Sequence, residues 1–251
     1  MGVLIVGHGI VGRNLERELS PLSPDVFDKY TEYDTRTTGH YDVAFVCVDT
    51  PRTDVPCDVS EVRNAILEND ADIFVIKSTV LPGTTNMLAI QTGKSLVFSP
   101  EYYGSTQHAN GHDGGIRYDF TILGGMRCDC VRVVQLLQGV YDGRHRFHIT
   151  DSKTAELAKF MENSWIATKV SFCCQFADIA EQAGVCYEEL RELFILDPRV
   201  NPSHTYVLRD RPYWSSHCLD KDVPAIAETY DAPLLDAVIA FNESCKQGAA
   251  E

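Results

Sequence analysis

The sequence has few basic residues, no long hydrophobic run and no regular cysteine spacing. It contains 22 Lys and Arg against 36 Asp and Glu, which gives a formal net charge of −14. Such a charge repels phosphate backbones and anionic lipid headgroups, so we expect neither a nucleic-acid partner nor a membrane-surface partner. No segment offers the roughly 18 unbroken apolar residues of a transmembrane helix, so we also expect no membrane span.

The nine cysteines form no pattern that is typical of a disulfide-rich secreted domain. Their number is odd, and the pairs Cys128–Cys130 and Cys173–Cys174 lie too close in the chain for ordinary bridges. The chain opens directly into an apolar strand pattern, without the regions of a signal peptide. We therefore expect a reduced, cytoplasmic protein. His108 and His112 stand in a glycine-rich stretch that is typical of a loop, and we predict no metal site.

Short apolar runs alternate with helical patterns in the first part of the chain. This alternation predicts an α/β fold, with a Rossmann-type doubly wound parallel sheet as residues 1–148. Residues 149–251 are predicted to form a mostly helical domain. Its long central helix should run from Ser152 to Ala183, because this stretch has no proline and no internal glycine. A last helix is predicted to start after Asp222 and to run towards the end of the chain, with a break near Pro233. The apolar runs lie at residues 3–6, 43–48, 73–78, 95–99 and 119–125.

A glycine motif follows the first strand. Gly7, Gly9 and Gly12 form G-x-G-x-x-G, and Asp28 follows about 20 residues later, at the end of a second strand. The first glycine makes the tight turn, the second lets a pyrophosphate approach the backbone, and the third permits close helix–strand packing. A carboxylate at Asp28 can bind ribose hydroxyls and would repel a 2′-phosphate, so we predict NAD rather than NADP. His8, inside the turn, is expected to face solvent.

Seven segments of the chain form a joint pattern. In order, they are "GHGIVG" (7–12), "VCVDTP" (46–51), "IKSTVLPGTT" (76–85), "SPEYYG" (99–104), "AELAKFMENSWIATKVSF" (155–172), "DPRV" (197–200) and "CLDKD" (218–222). Together they resemble one family, the nucleotide-sugar 6-dehydrogenases that include the UDP-glucose and GDP-mannose dehydrogenases. The last segment has the family's Cys-x-x-Lys-Asp pattern, and the fifth carries a Lys and an Asn four residues apart. The resemblance runs over nearly the whole chain.

The resemblance implies a four-electron oxidation of a primary alcohol to a carboxylate, with two NAD as oxidants. Cys218 would be the nucleophile that holds the aldehyde, and Thr79 and Glu101 would serve the hydrolytic step, with Glu101 as the general base. Lys159 and Asn163, which share a helix face, would form a donor site for the oxyanion, and together with Asp222 they would arrange the water. The implied catalytic residues are Cys218, Lys159, Asn163, Asp222, Glu101 and Thr79.

The resemblance also implies binding residues and a homodimer built on the central helix. Arg199 would reach the substrate from the neighbouring subunit. The implied cofactor-binding residues are Gly7, Gly9, Ile10, Val11, Gly12, Asp28, Lys29, Val48, Thr50, Pro51, Ser78 and Thr79. The implied residues for a nucleotide-sugar substrate are Glu101, Tyr102, Tyr103, Lys159, Asn163, Arg199 and Lys221.

The sequence departs from the family in three places. One is the stretch "SPEYYGSTQHANGHDGGIRYDF" (99–120), which differs from the usual substrate loop after Glu101. The family normally continues into a C-terminal nucleotide-binding domain, and this chain ends about where that domain would begin. Before Cys218, the family's glycine-rich approach is replaced by "RDRPYWSSHC", so Tyr213 and Trp214 are expected where backbone usually closes over the sugar. We therefore expect the chemistry to be kept and the residues that select the substrate to be altered.

Two other functions stay open. One is a two-electron hydroxyacid dehydrogenase, which would have no use for Cys218. The other is an NAD-binding module without catalysis, or half of a split enzyme whose partner supplies the missing domain. In either case Cys218 would be a buried thiol, since an intracellular cysteine is usually a small packing residue.

Overall fold

The structure, a computed structural model, describes residues 2–33, 39–102 and 118–249. Seven strands in this part of the chain pair in one sheet with the order β2-β1-β3-β4-β5-β6-β7. Every neighbouring pair is parallel except β5 and β6, which are antiparallel. The strands are β1 (Val3–Val6), β2 (Asp25–Phe27), β3 (His40–Val46), β4 (Asp70–Ile76), β5 (Ser95–Phe98), β6 (Phe120–Gly125) and β7 (Arg146–Thr150).

The predicted α/β class is confirmed, with two differences in detail. The sheet is mixed rather than wholly parallel, because β6 runs against β5. The strands β3 and β4 each end two residues before the predicted end. Val48 and Ser78, which were predicted inside the strand segments, therefore lie in the loops that follow them. This places both residues at the carboxyl edge of the sheet, where open α/β sheets bind ligands.

Eight helices lie in the described part of the chain, and the long central helix is confirmed. It ends at Gln182, and Gly184 follows with φ of 68°, a conformation that favours glycine. None of the described helices combines the length and the apolar character that crossing a bilayer requires. The helices are α1 (Ile10–Glu18), α2 (Ser60–Glu68), α3 (Thr84–Thr92), α4 (Arg127–Leu137), α5 (Ser152–Gln182), α6 (Tyr187–Phe194), α7 (Leu219–Thr229) and α8 (Pro233–Gly248).

The predicted start of the last helix is wrong. Helix α7 already begins at Leu219, where the Ser216 hydroxyl accepts the Leu219 N–H at 3.1 Å. Extended backbone at Tyr230 ends α7, and Pro233 opens α8 in the first turn, where its missing N–H costs no helical bond. The correction matters for the site, because it places Lys221 and Asp222 within the first turn of α7.

The chain divides into two compact units, Met1–Lys159 and Phe160–Glu251. We name them the sheet unit and the helical unit. The division falls inside α5, whereas the domain boundary after residue 148 stays a prediction. In the sheet unit, helices cover both faces of the sheet, and its strands bury Phe45, Phe74 and Phe98 completely. Burial on both faces explains why these strands read as continuous apolar runs.

The core of the helical unit contains the tryptophan that was expected beside the sugar. The Trp214 side chain is 3% exposed and packs with Ala167, Val223 and Val238. Its indole N–H donates to the Ser171 hydroxyl at 3.0 Å. The expectation for Trp214 is therefore wrong: its bulk fills the core, so it is not available to close over a substrate.

A buried acid joins α5 to α3 within the sheet unit. The Glu156 carboxylate accepts the backbone N–H of Gly83 and, at 2.8 Å, that of Thr85. These are donors of the first turn of α3, which an α-helix cannot satisfy by itself. Burial raises the pKa of Glu156 above its usual value, and the donors act against that rise. Glu156 thus caps α3 from a distant part of the sequence.

We predict that Glu156→Gln lowers the free energy of unfolding by about 1–3 kcal/mol, because one of the two N–H donors would face the new amide NH2 and lose its acceptor. The matched control is Glu181→Gln, an exposed position on the same helix, with an expected change within about 0.5 kcal/mol. Urea unfolding followed by circular dichroism measures both. Equal changes in the two variants would contradict the capping role.

Candidate functional site

The glycine turn has the steric properties that its motif predicts. Gly7 has φ of 95°, and a Cβ there would lie 2.5 Å from the Cys47 carbonyl oxygen. A Cβ on Gly12 would lie 2.0 Å from the Gly7 carbonyl oxygen. A Cβ on Gly9 would meet nothing within 4 Å. The turn at Gly7 and the contact at Gly12 therefore require glycine, while Gly9 leaves the backbone before α1 open to an anionic ligand.

Asp28 holds this turn in place. One carboxylate oxygen accepts the His8 N–H at 2.6 Å, and the other accepts the Tyr30 N–H at 2.9 Å. The expectation that His8 faces solvent is wrong. Its ring is hydrogen-bonded to the Glu16 carboxylate at 2.8 Å and packs edge-on against the Tyr33 ring. The acid and the turn are thus a single hydrogen-bonded structure.

A cavity of about 350 Å³ lies beside this structure. Six of the predicted cofactor residues line it: Gly7, Gly9, Asp28, Lys29, Val48 and Pro51. Ile10, Val11 and Gly12 form the first turn of α1 instead. The sequence analysis missed the lining residues from α2, namely Glu61, Asn64, Ala65 and Glu68. Only their position in the chain indicated that they line the cavity, because the helix that follows β3 borders the ligand crevice of such sheets.

The residues present fit NAD. The open backbone at Gly9 stands at the amino end of α1, where N–H groups favour a pyrophosphate. Asp28 stands at the end of β2, where a carboxylate can take ribose hydroxyls. The Cys47 thiol also lines this cavity. Burial raises the pKa of Cys47 to about 12, although the charge of Lys77 acts in the opposite direction. Cys47 therefore stays protonated and is no nucleophile at neutral pH.

The loops after β3 and β4 are joined by side-chain hydroxyls. The Thr50 hydroxyl donates to the Thr79 carbonyl at 2.7 Å, and the Ser78 hydroxyl donates to the Val48 carbonyl at 2.6 Å. The structure therefore brings together four of the predicted cofactor residues from two segments about 30 residues apart in sequence. Neither bond could be read from spacing, because strands β3 and β4 become neighbours only in the folded sheet.

Glu101 follows β5 and is held by a lysine that the sequence analysis did not single out. The Lys77 amine lies 3.2 Å from a Glu101 carboxylate oxygen and 3.3 Å from the Ser99 hydroxyl. The side chains of Lys77 and Glu101 are only 9% and 13% exposed. A lysine directly after the apolar run 73–76 was the available signal, because a buried cation needs a partner.

Two further predicted residues can be placed near Glu101. The Tyr102 N–H donates to Glu101 at 2.7 Å, and the Lys159 amine lies 4.8 Å above the Tyr102 ring centre. Such a distance suits a cation–π contact. Tyr103 lies outside the described residues.

In the helical unit, the predicted residues gather around Asp222. Its carboxylate accepts the Asn163 amide N–H at 2.7 Å on one oxygen and the Lys221 ammonium at 2.5 Å on the other. Asp222 is 2% exposed. Cys218 is half-buried and stands at the N-cap of α7, one turn before Asp222. The structure thus joins a cysteine, an acid, an amide and an amine that come from two distant segments.

Arg199 lies in an exposed loop with its guanidinium 2.6 Å from the Asp197 carboxylate. The loop is anchored by an arginine that the sequence analysis missed. Arg191 is buried, donates to the Thr205 hydroxyl at 2.8 Å, and stacks on the Tyr206 ring at 3.6 Å. Arg191 gave no signal in the sequence, because a charge on an amphipathic helix usually faces solvent.

Comparisons with known proteins show which family this chain resembles. Residues 153–244 match the family model described as UDP-glucose/GDP-mannose dehydrogenase family, central domain. The predicted resemblance to this family is confirmed. A UDP-N-acetyl-D-mannosamine dehydrogenase of Methanocaldococcus jannaschii is 28% identical over 81% of this chain and 48% of its own length. A UDP-glucose 6-dehydrogenase of Rickettsia conorii is 27% identical over 86% and 52%.

A solved structure supports the same fold. A UDP-D-ManNAc dehydrogenase from Pyrococcus horikoshii aligns with a TM-score of 0.80 and 23% identity, over all of this chain and 70% of that one. The chain spans about half the length of the curated nucleotide-sugar dehydrogenases that it matches.

We predict that Lys77→Met destabilises the sheet unit by about 3 kcal/mol, because it removes the cation beside a poorly hydrated carboxylate. Adding Glu101→Gln should recover part of the loss. The control Lys94→Met breaks a partly exposed pair with Asp70 at 3.8 Å and should cost less than about 1 kcal/mol. Chemical denaturation measures all three. A Lys77→Met loss no larger than that of Lys94→Met would refute the buried pair.

Proposed function

We propose that this chain carries the catalytic residues of an NAD-dependent nucleotide-sugar dehydrogenase that oxidises a primary alcohol of the sugar to a carboxylate. The observation that carries the proposal is the cluster around Asp222. A buried acid, held on one oxygen by an amide and on the other by an amine, stands one helical turn after a half-buried cysteine. These two hydrogen bonds fix the direction of the Asp222 carboxylate in the first turn of the helix whose N-cap is Cys218.

The proposed reaction balances as two oxidations followed by a hydrolysis. One sugar CH2OH group, two NAD+ and one water give a carboxylate, two NADH and three protons. NAD+, when bound, accepts one hydride in each oxidation. In the hydrolysis Glu101 is the base that receives a proton from the attacking water. Lys77 supports this role because it orients the carboxylate and offsets its desolvation.

Cys218 holds the aldehyde between the two oxidations. Its thiolate adds to the aldehyde carbon, which forms a C–S bond and places the negative charge on oxygen. Loss of the second hydride gives a thioester, and water then attacks it and releases the thiolate. The partial positive charge at the amino end of α7 favours the thiolate at both stages.

The oxyanion and the attacking water need positioned donors and acceptors. Asn163 has two amide N–H groups, and the bond of one to Asp222 aims the other. Lys159 supplies an ammonium, and Asp222 an acceptor for water. Thr79 is proposed to assist the hydrolysis from the loop after β4. Tyr102, Lys221 and Arg199 are proposed to contact the substrate.

We propose that the substrate is a nucleotide sugar, and we specify neither its base nor its sugar. Three relatives that match with 27–28% identity are named for UDP-N-acetyl-D-mannosamine, UDP-glucose and GDP-mannose. The three names differ in both base and sugar, although the three relatives are almost equally similar to this chain. The similarity therefore supports the chemistry that the relatives share and does not favour one substrate over another. UDP-glucose is the first compound to test.

We predict that the full chain with NAD+ forms two NADH per nucleotide sugar, and that Cys218→Ser loses this activity or stops before the acid is released. Absorbance at 340 nm and mass spectrometry of the product measure both. The matched control is Cys186→Ser, which also removes an N-cap cysteine of a helix in the helical unit and should keep the wild-type rate.

The other outcomes distinguish the remaining functions. Full activity of Cys218→Ser with one NADH per substrate would favour a two-electron dehydrogenase. No NADH from any nucleotide sugar, while NAD+ still binds, would favour a binding module or a chain that needs a partner. Either result would overturn the proposal for this chain acting alone.

We also propose a homodimer through α5. Six large apolar side chains of this helix are exposed, and at 100° per residue five of them fall within about 60° of one another on one face, while the sixth is Leu157. Phe172 extends this stripe towards Phe194 of α6, with ring centres 6.3 Å apart. Ile166 and Val170 instead pack against the core of the helical unit. The five are Met161, Trp165, Phe172, Phe176 and Ile179.

We predict that light scattering gives twice the mass of one chain, and that Trp165→Glu with Phe172→Glu gives the mass of one chain, because charges would interrupt the stripe. Ile90→Glu is the control, an equally apolar and exposed side chain on α3 of the sheet unit. Its mass should equal that of the wild type. A wild-type mass of one chain would contradict the dimer.

We propose a cytoplasmic location. All nine cysteines are free in the structure, as a reducing compartment would keep them.

A further inference from the structure

The residues that line the cofactor cavity carry more negative than positive charges. Among the described residues that line it, four are acids and a single one is a base, Lys29. The acids are Asp28, Asp49, Glu61 and Glu68. Any negative group on the adenosine side of a dinucleotide would therefore depend on Lys29 for a side-chain cation.

Lys29 stands where a cation can decide between two cofactors. It follows Asp28, the acid at the end of β2. In dinucleotide-binding sheets an acid at this point bonds the ribose 2′-hydroxyl, whereas a nearby cation accommodates the 2′-phosphate of NADP. This chain has both parts in adjacent residues, so Asp28 alone does not settle which cofactor is preferred.

Lys29 is already paired in the structure. Its ammonium lies 2.5 Å from a carboxylate oxygen of Glu61, in the first turn of α2, and 4.9 Å from the Tyr30 ring centre. The hydrogen bond to Glu61 raises the pKa of the Lys29 amine, so Lys29 is charged at neutral pH. The carboxylate offers Lys29 the kind of partner that a phosphate would offer, an anionic oxygen.

We propose that Glu61 is a specificity-determining residue, because by pairing with Lys29 it withholds the cation from a 2′-phosphate and adds its own negative charge to the cavity. NADP is disfavoured by repulsion, and among the described residues that line the cavity no cation other than Lys29 offsets it. NAD, which has a hydroxyl at this position, meets neither obstacle. The inference rests on the proposed cofactor and deepens it, since it concerns the choice between two dinucleotides.

The test measures binding of NAD+ and NADP+ to the full chain by isothermal titration calorimetry, without substrate. Glu61→Gln should tighten NADP+ binding roughly five- to tenfold relative to NAD+, the effect expected of one partly exposed ion pair. The gain should shrink at high salt, because exposed charges are screened. Adding Lys29→Met to Glu61→Gln should remove most of it.

The matched control is Glu68→Gln, which removes the same charge from the same helix and the same cavity. If the lining acted only through its total charge, the two variants would favour NADP+ equally, and the proposal would be overturned. A Glu61→Gln gain that persists without Lys29 would also overturn it. If wild type binds NAD+ and Glu61→Gln leaves the preference unchanged, this inference alone fails. If neither cofactor binds, the proposed function fails with it.

Discussion

The buried carboxylate of Glu156 is the constraint on which the rest of the sheet unit depends. It accepts two backbone N–H groups at the start of α3, from Gly83 and Thr85, and so locks the first turns of α5 to the loop that follows β4. That loop is hydrogen-bonded in turn to the loop after β3, which lines the cofactor cavity. The next turn of α5 carries Lys159 over the Tyr102 ring. One acid therefore sets the position of two loops and one catalytic candidate, and its raised pKa reflects the burial this requires.

The same physical device recurs at the two acids that the proposed chemistry uses. Glu101 is held by Lys77 in the sheet unit, and Asp222 is held by Lys221 and Asn163 in the helical unit. A carboxylate out of water is costly unless a cation and hydrogen-bond donors replace its hydration. Once they do, the side chain has a fixed direction before any substrate arrives. Such preorganisation is where enzymes obtain much of their rate, because no reorientation is then needed during reaction.

Features that depend on local geometry could be predicted from the sequence, and those that depend on tertiary neighbours could not. Gly7 and Gly12 were predictable because steric contact requires glycine there, and α5 because its sequence has no helix breaker. Lys77 and Glu61 were missed because their partners come from other strands and helices. Trp214 was misplaced because a bulky residue beside a motif looks the same in sequence whether it covers a ligand or fills a core. The positions of the motifs predicted which residues lie close together. Tertiary packing determined which side chains pair with them and fix their directions.

The acidic lining of the cavity indicates how an anionic dinucleotide can be bound by a chain of net charge −14. Lys29 is paired with Glu61, so attraction for the pyrophosphate must come from backbone N–H groups at Gly9 and the start of α1. These dipoles act over a short range and point at one place, whereas a surplus of basic side chains would attract phosphate anywhere in the cavity. Under the proposed preference for NAD, backbone binding at one end and acids at the other would make recognition of two phosphates compatible with rejection of a third.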